Sequence, residues 1–290
     1  MEEIILQRKL EALGQNGTLI RKDGKTFLQL DCENAKELSM KWGEKLYPFT
    51  KTGEKWILEL PFSTPVNYVQ ICVDGQEVLS PDLPIAHGYC RPYNYIELPD
   101  EDGLFELRDV PHGTLTREFY KSKISDNWEK LIVYLPPCVP SAGLPVLYLQ
   151  HGFGESEISW STTGKVNFLM DNLIAAGKIK PFAIVMGNGM VKQRIDGELK
   201  LNRALYGQML VEEILPMIEK KYQFGGSKEK RGMAGLSMGS VQTTRTICAH
   251  PELFSEVGIF SGFLRDRIVG DEEHDGIVPK SGGQSYKGNG

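Results

Sequence analysis

Between Arg231 and Ser240 the chain reads Arg-Gly-Met-Ala-Gly-Leu-Ser-Met-Gly-Ser, and its centre, Gly235-Leu236-Ser237-Met238-Gly239, fits the G-x-S-x-G nucleophile elbow. No other segment constrains the fold as much. The pattern demands a strand that runs into a sharp turn and leaves it as a helix, with the serine held in a strained conformation. A side chain at either flanking position would clash, and glycine removes it. The surroundings agree: Met233 and Ala234 lead in as a strand would, and residues 240–249 follow without Pro or Gly, as a helix can.

Upstream, the apolar run Leu144 to Leu149 ends in Gln150-His151-Gly152-Phe153-Gly154. A serine that attacks a carbonyl creates an oxyanion, which needs two N–H donors. One follows the serine, and the other comes from the loop after an early strand. Small residues let the backbone of this loop approach the charge, so the expected donors are the amides of Phe153 and Met238. His151 reads as a strand-end residue and not as the catalytic base, because the base follows the nucleophile in chain order.

Composition narrows the partners. A formal net charge of -5 over 290 residues gives no basic footprint for nucleic acid, which is therefore not an expected partner. No run of about 18 apolar residues is present, so neither a spanning helix nor a membrane partner is expected. Met1-Glu2-Glu3-Ile4-Ile5 is an acidic start without an apolar core of signal-peptide length, which predicts a cytoplasmic chain, secreted only if a leader has been removed. The cysteines Cys32, Cys72, Cys90, Cys138 and Cys248 are odd in number and lack C-x-x-C spacing, so no disulfide framework, metal site or cofactor is expected. Nothing in the sequence specifies an oligomeric state.

The first hundred residues differ from the rest. Alternating runs at Thr26 to Leu30, Lys55 to Leu60 and Tyr68 to Val73, with Asp23-Gly24 and Asp74-Gly75 as hairpin turns, predict a small all-β sandwich over 1–100. Its Pro-rich end, Pro81 to Pro99, reads as an ordered linker. Over 101–290, Thr114 to Tyr120 and Lys130 to Leu135 read as antiparallel strands. The continuous apolar runs Val146 to Leu149, Phe182 to Met186, Gly232 to Gly235 and Val257 to Phe260 read as buried parallel strands. Helices fall between them, one at Val166 to Leu173 and another from Leu205 to Tyr222, bent or broken near Pro216. Ligands of such α/β sheets bind at the C-terminal ends of the strands, where Ser237 and the Gly152 loop would both lie.

Residues 110–265 resemble the esterase-D-like branch of the α/β-hydrolases, specifically the feruloyl and acetyl-xylan esterases of carbohydrate esterase family one. The resemblance is carried by residues 148–157 with Trp160, by Asn167 to Lys178, by Gly235-Leu236-Ser237-Met238-Gly239-Ser240 and by Gly258-Ile259-Phe260-Ser261-Gly262. The front region is similar to an early-set immunoglobulin-like module through Trp56, Tyr68, Val73-Asp74-Gly75 and Pro111-His112-Gly113. The resemblance implies a serine esterase that forms an acyl-enzyme on Ser237 and cuts hydroxycinnamoyl or acetyl esters of plant cell-wall xylan, so the expected partner is a small-molecule or oligosaccharide ester. Trp160 would offer a flat wall to an aromatic acyl group. Two alternatives stand beside it: an enterochelin-type siderophore esterase, and a catalytically silent carbohydrate-binding protein.

The family places its acid and base on loops after the last two strands. Here 290 − 262 = 28 residues follow Gly262, polar and Gly-rich, where each further strand-plus-helix unit needs on the order of 30. The expectation is therefore a domain whose last strands are missing, incomplete at its C-terminus and weakly active or inactive. If the chain is complete, His274 is the base, with Asp271 or Asp266 as its partner.

Overall fold

The structure is a computed structural model that describes residues 4–6, 18–99 and 102–262. The described chain packs as two compact units. One runs to Asp109 and also takes Ser159–Asn172; the other holds Val110–Ile158 and continues from Leu173.

The first unit is built on antiparallel strands: β1 (Ile4–Leu6), β2 (Thr18–Lys22), β3 (Lys25–Asp31), β4 (Leu38–Trp42), β5 (Lys45–Pro48), β6 (Thr50–Thr52), β7 (Lys55–Glu59), β8 (Val66–Val73), β9 (Gln76–Val78), β10 (Ile85–Gly88) and β11 (Arg91–Glu97). They form two sheets, ordered β1-β2-β3-β7-β6 and β10-β11-β8-β4-β5, with β9 beside β8. The Asp-Gly dipeptides make the hairpins. Asp23 and Gly24 take φ of 53° and 77°, and Asp74 and Gly75 take 49° and 83°, the positive pair that a tight two-residue turn requires. Leu28, Met40, Val69, Ile71 and Ile96 fill the core with Trp56, whose indole N–H donates to the Cys32 carbonyl (2.9 Å). Trp42 packs on Phe62. Both tryptophans serve packing, as their strand positions suggest.

The Pro81–Pro99 stretch is not a linker. It supplies β10 and β11, and β11 pairs with β8 from Asn94↔Val69 onward. Pro92 stands before that pairing begins, so its missing N–H costs the ladder nothing. Asn94, fully buried, stands in for backbone: its amide accepts from Ser80 N–H and donates to the carbonyls of Ser80 and Leu83. The segment 159–172, expected in the hydrolase domain, packs with this unit. Lys165 pairs with Glu97, and the Asn172 amide donates to the carbonyls of Leu104 and Glu106 (2.8 Å each).

In the second unit β12 (Thr114–Lys121), β13 (Trp128–Leu135), β14 (Val146–Gln150), β15 (Ala183–Gly187), β18 (Arg231–Leu236) and β19 (Glu256–Phe260) form a mixed sheet ordered β12-β13-β15-β14-β18-β19. The hairpin β16 (Lys192–Ile195) and β17 (Glu198–Leu201) stands apart, turning at Asp196-Gly197. β14, β15, β18 and β19 are parallel, and β12 and β13 run antiparallel at one edge. This is an α/β-hydrolase-like sheet. Every residue of β15 is buried, which is why these strands read as unbroken apolar runs.

The helices are α1 (Ser159–Thr162), α2 (Val166–Ala175), α3 (Leu205–Met209), α4 (Leu215–Tyr222) and α5 (Met238–Ala249). Between α3 and α4 the backbone widens into a π turn, Leu210–Ile214, where Leu215 N–H reaches back to the Leu210 carbonyl. Pro216 has no N–H for Glu212 and would press its ring on that carbonyl, and the wider spacing absorbs both. The expected break at Pro216 is thus a change of helical pitch. After β14 the chain passes to β15 on one side, while β18 lies on the other. The C-terminal end of β14 is the point where strand order reverses, the place where α/β sheets hold ligands. Among the described residues no helix is long and apolar enough to cross a membrane.

Candidate active site

β18 ends at Leu236 and α5 begins at Met238, leaving Ser237 alone in the turn at φ 51° and ψ −110°. A non-glycine residue held there stores roughly 1–3 kcal/mol of strain. Its neighbours explain the glycines. A Cβ on Gly235 would overlap the Gly239 carbonyl and stand 2.8 Å from Thr243 Oγ1, and a Cβ on Gly239 would stand 2.7 Å from the carbonyl oxygens of Gln150 and His151. Gly239 therefore lets the first turn of α5 touch the end of β14, where the next loop departs. Ser237 N–H donates to the Phe260 carbonyl (2.9 Å), and the Ser237 carbonyl accepts from Ser240 N–H (3.0 Å) and Ser240 Oγ (2.6 Å). Met238 N–H belongs to the first turn of α5, which has no intrahelical acceptor. Among the described residues no protein group accepts from it.

The loop after β14 closes on itself. Gly152 N–H donates to Glu155 Oε2 (2.8 Å), and Glu155 N–H donates to the Gly152 carbonyl (3.3 Å). Gly154, at φ 75°, turns its N–H toward Met190 Sδ (3.4 Å). Between them the Phe153 amide has no acceptor among the described residues. Phe153 is 39% exposed, and its ring lies under the Arg203 guanidinium, 5.2 Å from the ring centroid. Both expected oxyanion donors, Phe153 and Met238, thus stand on adjacent strand ends with their amides open.

His151 is buried and committed on both ring nitrogens. Nε2 lies 3.0 Å from Gly189 N, which can only donate, so Nε2 accepts and the proton resides on Nδ1, 2.7 Å from the Gly152 carbonyl. Burial pushes its pKa down from the usual histidine value; the Gly152 carbonyl, Asn188 and Glu157 oppose that more weakly. The ring is a neutral fastening between two loops. Asn188 Oδ1 accepts from Met190 N–H (3.0 Å) and makes the turn. From the other side, Gln242 on α5 donates its Nε2 to the carbonyls of Gly189 and Arg203 (3.0 Å each). Deeper still, Glu157 is 1% exposed and faces Lys130 Nζ (3.3 Å) and Arg117 (3.9 Å), anchoring the end of the 151–158 loop.

Trp160 lies in α1 and belongs to the first unit. His250 caps the C-terminus of α5, its N–H on the Thr246 carbonyl. His274, Asp266 and Asp271 lie outside the described residues. Sequence reasoning passed over Glu155, Gly189 and Gln242. The signals were an acid three residues after Gly152, a second glycine beside Asn188, and a glutamine on the buried face of the elbow helix.

The model of the Esterase family matches residues 122–277, more than half of the chain. The chain belongs to this esterase family. Over 269 residues the esterase is 31% identical to the endo-1,4-beta-xylanase/feruloyl esterase of Xylanibacter ruminicola, an alignment that covers 86% of this chain and 36% of that protein. The chain thus spans about a third of that relative's length. Among solved structures it is similar to the CE1 ferulic acid esterase of Anaeromyces mucronatus (TM-score 0.51, 22% identity, 56% of this chain and 63% of that one). It is also similar to the enterobactin esterase of Shigella flexneri (TM-score 0.59, 11% identity, 90% and 73%). At these identities the two structures report on fold: the esterase has an α/β-hydrolase-like architecture with an all-β region before it.

Proposed function

We propose that this esterase is a serine carboxylic ester hydrolase that forms an acyl-enzyme on Ser237 and releases ferulic or another hydroxycinnamic acid, or acetate, from plant cell-wall xylan. The observation that carries the chemistry is the strained Ser237 backbone between two glycines that admit no Cβ, beside two amides that meet no acceptor among the described residues. Ser237 Oγ attacks the ester carbonyl, whose oxygen becomes the oxyanion and accepts from the N–H groups of Phe153 and Met238. Collapse expels the sugar alcohol and leaves the acyl-enzyme, and water repeats the sequence to free the acid. A histidine must take the Oγ proton and pass it to the leaving alcohol. His151 is unsuited to this, with both nitrogens engaged, and His250 stands at the far end of α5, about 18 Å along the helix axis. The sequence offers His274, with Asp266 or Asp271.

The substrate assignment is supported by the 31% identical relative, which is named a xylanase/feruloyl esterase, and by the fold neighbour from Anaeromyces mucronatus, determined with ferulic acid. A panel of esters tests it: methyl ferulate, feruloylated arabinoxylan oligosaccharides, p-nitrophenyl acetate, a long-chain lipid ester and a triscatecholate siderophore. The feruloyl esters should have the highest kcat/KM. Preference for the lipid ester or the triscatecholate would overturn the assignment.

A further inference from the structure

The peptide of Gly189 is gripped from both sides by the two halves of the site. Its N–H donates to Nε2 of His151, the first residue of the loop that carries Phe153, and its carbonyl accepts from Nε2 of Gln242, on the helix that begins at Met238. All three partners are buried: His151 is 1% exposed, Gln242 is 6%, and Gly189 admits no side chain, since a Cβ would fall 2.5 Å from Gln242 Oε1 and would overlap the Gln150 amide. Each side chain also makes a second hydrogen bond, His151 through its other ring nitrogen and Gln242 through the same Nε2. His151 Nδ1 holds the Gly152 carbonyl, one residue before Phe153, and Gln242 Nε2 also holds the Arg203 carbonyl. Arg203 in turn lies on the Phe153 ring.

We infer that His151 and Gln242 are positioning residues, which act through the Gly189 peptide to set the separation of the Phe153 and Met238 amides. The inference rests on the oxyanion assignment above. Loop and helix leave adjacent strands that pair up to Gln150↔Gly235, and beyond that ladder and the contact at Gly239 the strut ties them by side-chain hydrogen bonds. An oxyanion hole works only when both donors stand about 3 Å from one oxygen, and a misplacement of about 1 Å costs roughly a hundredfold in rate. The ground-state ester, whose carbonyl carries less charge, makes weaker use of the same donors. Loosening the strut should therefore lower the rate of the chemical step and leave substrate binding largely intact.

The experiment uses the whole chain with Gln242→Met, which keeps the volume and removes the donors, and the pair His151→Leu and His151→Gln. Glutamine can still offer an oxygen to Gly189 N–H. Three quantities are measured for each: kcat and KM on methyl ferulate, the maximal rate of phosphonylation by a fluorophosphonate, and the affinities for ferulate and for an aryl boronic acid that mimics the tetrahedral oxyanion. Gln242→Met and His151→Leu should lower kcat and the phosphonylation rate by about ten- to a hundredfold. Boronate affinity should fall in step, with KM and ferulate affinity within twofold. His151→Gln should recover most of the loss. If Gln242→Met does not fold, the histidine pair decides alone. Equal losses for boronate and ferulate, unchanged kcat, or no recovery in His151→Gln would overturn the inference. Wild-type protein that leaves Ser237 unlabelled would instead overturn the reading on which it rests.

Discussion

β18 is six residues long, and its two ends are built on opposite rules. At the N-terminal end Arg231 makes a two-pronged contact with Glu219, Nε to Oε1 at 2.6 Å and Nη2 to Oε2 at 2.7 Å, with both side chains largely buried. Tyr148 OH (3.0 Å) and Gly226 N–H (2.9 Å) donate to the same carboxylate. Every strong polar group there has a partner, and the Glu219 carboxylate holds the Arg231 pKa above its usual value. At the C-terminal end the backbone is strained at Ser237, and among the described residues neither the Met238 amide nor the Phe153 amide beyond the adjacent β14 meets an acceptor. One end holds the sheet together. The other gives up stability to hold a reactive geometry, at the edge where α/β sheets place their ligands.

The largest contrast should come from changing one residue at each end. Ser237→Ala should lower ester hydrolysis by at least about a thousandfold, as loss of a nucleophile does, with unfolding free energy within about 1 kcal/mol of the parent. Glu219→Ala should do the reverse. Removing one member of a buried ion pair strands the other, so stability should fall by about 3 kcal/mol, while kcat/KM of the folded protein stays within threefold. Chemical denaturation and initial-rate kinetics on both variants check this. A Glu219→Ala protein that kept its stability, or lost activity as steeply as Ser237→Ala, would erase the distinction between the two ends.

A smaller effect sharpens the strain argument. Glycine takes positive φ without penalty, so Ser237→Gly should be more stable than Ser237→Ala by about 1 kcal/mol. Equal stabilities by urea denaturation would mean that the turn stores no strain.

The smallest effect is a pH dependence at His151. Its folded pKa is below its ordinary value, so on acidification the unfolded chain takes up a proton first. The stability carried by the neutral ring is complete above about pH 6.5 and is lost as the pH falls from there through the lower folded value, at up to about 1.4 kcal/mol per pH unit. His151→Gln should flatten that stretch of the stability curve. An unchanged slope would assign it to another group.

The chemical half of this contrast was legible in the sequence, and the structural half was not. The elbow is readable because its constraints are local: Gly235 and Gly239 face backbone only four residues apart or on the adjacent strand. Strand runs such as Phe182 to Met186 are readable because burial on both faces leaves no polar position. Asp23-Gly24 and Asp74-Gly75 declare their hairpins for the same local reason. The Glu219–Arg231 pair, the Lys165–Glu97 pair that ties 159–172 to the first unit, and the Gly189 strut join residues from 12 to 68 positions apart. No spacing rule marks such pairs. Pro81 to Pro99 misled for a related reason: Pro92 breaks a strand only where its N–H is needed, and which side of β11 is paired there depends on β8.

The most direct test of the account is the site of covalent labelling by a fluorophosphonate, read by peptide mass spectrometry on the full chain and on Ser237→Ala. The account predicts one adduct, on the peptide that contains Ser237, and none in the variant. An adduct on another residue, or labelling that survives in Ser237→Ala, would contradict it.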